Sequence, residues 1–176
     1  MFHYHRRPGL GAGGADEGTD ADGARGGDRP SQGRTAAGAL GQNTDDISAA
    51  IASVYGDEAG AQFKEIWASH IGFFVDYTVG AKTADQAKMD KAVADLNGYV
   101  EAISTFLSGA NPNLPKDAVA SLVSEHVGLL KTAVDKHGAG DFAGSYEAQA
   151  QAREQITTQI ADTLAGAIVK QKPEAF

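Results

Sequence analysis

Two histidines hold matching places in this chain: His70-Ile71-Gly72 returns 56 positions later as His126-Val127-Gly128. Neutral imidazole ligates zinc, copper and haem iron, and its ordinary titration lies close to neutral pH. A repeated pair therefore points to three uses: a metal ion or haem held between His70 and His126, proton transfer, or a buried polar joint that each helix makes with its neighbour. Glu154 is the acid expected at the same level on the last helix, which would make a low-coordinate metal set of His70, His126 and Glu154. Catalytic zinc takes three protein ligands as a rule. His3 and His5 have a spacing that suits a surface metal but lie in a glycine-rich arm, and His137 stands before Gly138, where a helix C-terminus favours the charged imidazole. No nucleophile with an evident base, no glycine-rich phosphate loop between strand and helix, and no paired carboxylates at a defined cleft can be named. A non-enzymatic role is the expectation.

The elements that must carry the pair are helices. Phe63, Trp67, His70, Phe74 and Tyr77 are spaced 4, 3, 4, 3, and Val119, Val123, His126, Leu130 and Ala133 repeat that rhythm. Such spacing makes one buried seam, with each histidine inside it. Trp67 and the Phe73-Phe74 pair read as core, and Asp76 and Tyr77 as helix surface. Further helices are predicted over about 44–55, with Asp57 capping its successor, from a Thr83-x-x-Gln86 capping box to about Ser108, and from Asp141 to Lys170 without interruption. Pro115 suits the first turn of the helix that reaches His137. Gly72 and Gly128 would remove bulk where a cofactor edge or a helix approaches. At ~1.5 Å rise per residue both histidines fall about 17 to 20 Å along their helices, at one level.

Alternating strand patterns are absent, so the class is all-α. Short connections favour an up-down four-helix bundle built of two tandem hairpins, with a short extra helix at the N-terminus. The expected divisions are a disordered, glycine-rich arm over 1–41, a remnant helix over 42–56, and a bundle over 57–176 made of hairpins 57–112 and 113–173. The arm holds 11 of the 22 glycines and few large aliphatic side chains, too little to offset the entropy of ordering. Asn43 to Ile51 matches the later half of the unit, since Ile47, Ser48 and Ile51 align with Ile103, Ser104 and Leu107. The earlier half is missing there. Residues 1–35 read either as a native arm or as translation of a GC-rich gene in a shifted frame.

The net charge of −8 disfavours nucleic acid, which calls for clustered Lys and Arg. No cysteine is present, so disulfides and thiolate metal sites are excluded. No apolar run reaches the ~18 residues of a membrane span, and no hydrophobic signal region follows Met1, so the chain as written would stay in the cytoplasm.

From about Asn43 to Phe176 the chain resembles a family of bacterial helical-repeat proteins. The residues that carry the likeness are Trp67 to His70, the turn Ala110-Asn111-Pro112-Asn113-Leu114-Pro115, Glu125 to Val127, and the ending Gln171 to Phe176. The resemblance implies tandem helical hairpins, a longer chain with an upstream repeat, and export. It implies no particular activity. Similar proteins tend to carry histidine near positions 154 or 156, where this chain has Glu154 and Ile156, and that departure weakens a metal site taken over from the family. The functional expectation is a binding or structural module whose ligand or partner is undefined, with a metal- or haem-binding bundle as the alternative.

Overall fold

The computed structural model describes residues 32–175, and all the regular structure among them is helical. Most of the predicted arm, with His3 and His5, lies outside the described residues. Five helical rods follow one another: α1 (Gln32–Tyr55), α2 (Asp57–Thr83), α3 (Gln86–Ala110), α4 (Lys116–Gly138), and a last rod of α5 (Phe142–Glu154), a π-helical turn (Gln155–Ile160) and α6 (Ala161–Gln171). A single 3-10 turn, Pro173–Ala175, ends the chain's described part.

Two boundaries differ from expectation. The first helix is longer than the expected 42–56: it has 24 residues and begins at Gln32, because alanines at 36, 37 and 39 extend the helical propensity backward through Gly38 and Gly41. The last rod is interrupted where one continuous helix was expected.

Caps follow a shared rule. Asp85 accepts a hydrogen bond from the Lys88 backbone N–H (3.0 Å), and Asp141 accepts one from the Gly144 N–H (2.9 Å). The expected Thr83-x-x-Gln86 box does not form, since Thr83 still belongs to α2 and its hydroxyl donates to the Val79 carbonyl (2.9 Å). Asp57 is likewise the first residue of α2, with Gly56 at the cap position and no side-chain cap bond.

Consecutive helices pack on one another, and α2 also touches α4. Their common core joins Ile51 of α1, Phe63 of α2, Tyr99, Val100, Ile103 and Leu107 of α3, Leu114 of the turn, Val119 and Val123 of α4, and Ala167 of α6. α1 sits close on α2 at Gly60, where a Cβ would lie 2.6 Å from the Ala52 Cβ and 2.9 Å from the Ser48 carbonyl oxygen. The ends of α1, α3 and α6 are tied together by polar bonds. Asn111 Nδ2 donates to the Tyr55 hydroxyl (3.0 Å), which donates to Gln171 Oε1 (2.9 Å), while Gln171 Nε2 donates to the Ala110 carbonyl (3.0 Å). Lys172 Nζ completes the closure on the Val54 carbonyl (2.8 Å).

Candidate functional site at the paired histidines

His70 stands half-buried in α2, three residues after Trp67. Its Nδ1–H donates to the Trp67 carbonyl, its ring meets the Trp67 indole edge-on with centroids 4.8 Å apart, and its other side stacks on Tyr99 of α3 at 4.8 Å and 24°. Burial holds its pKa below the ordinary imidazole value, the bond to the Trp67 carbonyl opposes that, and the nearby His126 adds to the depression. Tyr99 is itself buried, and burial pushes its phenol well above the usual range.

His126, on α4, contacts the last rod through a different residue. Its partner, Gln155, is the first residue of the π-helical turn and is buried, 3% exposed. Gln155 Nε2 donates to the Leu122 carbonyl (3.1 Å), which turns Oε1 toward the ring, so His126 Nδ1 is the donor of the 3.2 Å bond between them. Burial again lowers the pKa of His126, against the opposing pull of Gln155 and the Ala152 carbonyl. Each histidine thus meets the residue 29 positions later on the next rod, Tyr99 in one case and Gln155 in the other.

In their neutral forms both rings use Nδ1 as donor and keep the lone pair on Nε2, the atom that would accept a proton or bind a metal. Glu154 does not join them. It faces solvent, because adjacent positions on a helix point about 100° apart and it is Gln155 that turns inward. Among the described residues no group of three or more His, Cys, Asp and Glu gathers to hold a metal ion. Gly72 and Gly128 are exposed with no atom near the position of a Cβ, so no neighbouring helix packs against either glycine. Trp67, Phe73 and Phe74 are half-buried around the seam, and Trp67 stacks on Phe63 at 5.4 Å. His137 is exposed in the last turn of α4, edge-on to Phe142.

A second polar cluster lies where α2 and α4 end. Tyr77, predicted as helix surface, is 1% exposed; its hydroxyl donates to Asp135 Oδ1 (2.6 Å), and Lys131 Nζ bonds Oδ2 of the same carboxylate (2.6 Å) while lying 5.2 Å above the Tyr77 ring. Burial, then Asp135, raises the Tyr77 pKa. Asp76 faces outward and pairs with Lys88 (2.8 Å). Neither Tyr99 and Gln155 nor the Tyr55–Asn111–Gln171 closure was predicted. The first two share the 56-position spacing of the histidines, which was signal enough to find them; the closure joins chain-distant residues and left none. No known family matches the chain, and neither curated proteins nor solved structures give a match.

Proposed function

We propose that this chain is a non-enzymatic helical module: two tandem hairpins in up-down order, with α1 as the last helix of a preceding partial unit, serving as a binding or structural scaffold. One observation carries the reading. Each imidazole joins its helix to the next through the residue 29 positions on, by ring stacking on Tyr99 and by a hydrogen bond to Gln155, so the histidines act as the joints of a repeated unit. The matching aspartate caps at 85 and 141 support the same equivalence. The acidic balance favours a partner other than nucleic acid, and the family resemblance alone supports export.

A second reading is that His70 and His126 hold a metal ion or haem. It is favoured by the engagement of both Nδ1 atoms with protein acceptors, the arrangement that orients metal-binding histidines. Replacing both histidines with phenylalanine separates the two. The scaffold reading expects unchanged metal content and visible absorbance, and a stability loss of about 1–3 kcal/mol, chiefly from the Gln155 Oε1 left without its donor. Stoichiometric metal or a haem spectrum that the variant loses would establish the second reading instead. Unaltered stability would remove the joint role.

A further inference from the structure

The π-helical turn of the last rod marks a register change between the two hairpins. In α3 the inward positions are Ala92, Leu96, Tyr99, Ile103 and Leu107, all buried. In the last rod the series runs Ala148, Ala152 and Gln155, all buried, then Ile160 and Leu164, both half-buried and Leu164 packed against the common core. The first three lie 56 positions after Ala92, Leu96 and Tyr99. Ile160 and Leu164 lie 57 positions after Ile103 and Leu107, and the side chains are the same in both pairs. Five steps separate Gln155 from Ile160 where four separate Tyr99 from Ile103. One residue has entered.

An extra residue in a regular α-helix rotates everything after it by about 100°, which would carry Ile160 and Leu164 away from the core. A π turn, with bonds reaching five residues back, absorbs one residue without that rotation. Here the Ala161 N–H bonds the Ile156 carbonyl, five back. The loosened carbonyls on the solvent side are taken by hydroxyls: Thr157 Oγ1 donates to the carbonyls of Arg153 (2.9 Å) and Glu154 (3.1 Å), and Thr158 Oγ1 donates to that of Glu154 (2.7 Å). Both flanks of the turn are anchored. Gln155 is fixed between His126 and the Leu122 carbonyl, and Gln171 between Tyr55 and the Ala110 carbonyl.

We infer that the π turn is a one-residue insertion in the second hairpin, held between these anchors as a register joint that lets the rod seat Gln155 on His126 and Gln171 on Tyr55 together. The inference rests on the tandem reading above. It makes residues 156–159, among them the exposed Thr158, the stretch of the rod where one residue can be removed without loss of register, because deletion there returns the rod to α geometry with both anchors in place. Deletion of Ala165, beyond the joint, breaks the register either way: with the π turn kept, Ala167 and Gln171 rotate off their seats, and with the turn closed to α geometry, Ile160 and Leu164 do.

Thermal unfolding of the full chain, with backbone NMR shifts across 153–160, tests this. Deletion of Thr158 should give uniform α-helical shifts and a midpoint within about 2 °C of the parent, whereas deletion of Ala165 should lower the midpoint by roughly 10 °C or more. Gln155→Tyr, which places the α3 residue at the second seat, reads the tandem relation separately and should still fold. Equal losses for the two deletions, with Gln155→Tyr folded, overturn the insertion. A Gln155→Tyr chain that fails to fold while deletion of Thr158 is tolerated overturns the equivalence of the two hairpins.

Discussion

Ala84 holds φ at 53°, in the left-handed region, and 56 positions later Gly140 holds φ at 80°. Both residues end a helix with the same bonds: the N–H after each reaches back to the carbonyl of residue 80 or 136 at 2.9 Å. A residue with a Cβ pays roughly 1 kcal/mol in that conformation, which glycine escapes at a smaller entropic cost. Ala84→Gly should therefore raise stability by about 0.5–1 kcal/mol, and Gly140→Ala should lower it by a similar amount, both read from urea midpoints. Opposite signs are the test; if the two changes move stability in the same direction, the turns do not carry the strain assigned to them. At this scale the sequence was partly legible. The histidines stand out by type and spacing, but a seat such as Gln155 depends on azimuth around a rod, and counting along the rod by level selects its neighbour Glu154 instead.

Helices announce themselves through apolar periodicity, and α2, α3 and α4 were readable for that reason. α1 extends further back than its apolar periodicity because its first third has alanine and glycine rather than a stripe, and the π turn leaves no mark in that periodicity because an insertion leaves the apolar count unchanged. Their packing has unequal support. α1 rests on α2 near Gly60, whereas α3 and α4 each have helices on two sides. A methyl at Gly60 meets the Ser48 backbone oxygen at 2.9 Å, and backbone cannot step aside as a flexible side chain can. Gly60→Ala should cost about 1–3 kcal/mol by overpacking, concentrated in α1. Amide hydrogen exchange is expected to quicken through Thr44 to Tyr55 while the slowest amides of α3 and α4 stay protected. Uniform acceleration across all five rods would mean that α1 is integral to the cooperative unit.

For the whole molecule, the packing that makes one core also sets how the fold responds to acid. His70 and His126 are both held below the ordinary imidazole pKa, first by burial, and His126 adds to the depression at His70. Acting on them from the packed elements are the Trp67 carbonyl on α2, His126 across from His70, Gln155 of the π turn and the Ala152 carbonyl of α5. A lowered imidazole pKa means that the unfolded chain takes up protons first on acidification. Stability is then full above the unfolded value of about 6.5, falls as pH drops from there toward the lowered native values, and levels off once the native histidines also charge. Asp76, Glu101 and Asp141 are lowered by their lysine or backbone partners, so their contributions fade only in the more acidic carboxylate range. The two windows separate the causes. Replacing both histidines with glutamine, which cannot titrate, should flatten the urea midpoint between pH 7 and about 5 while leaving the fall at lower pH in place. A variant whose midpoint follows the parent through pH 6 would show that charging these imidazoles does not oppose the fold.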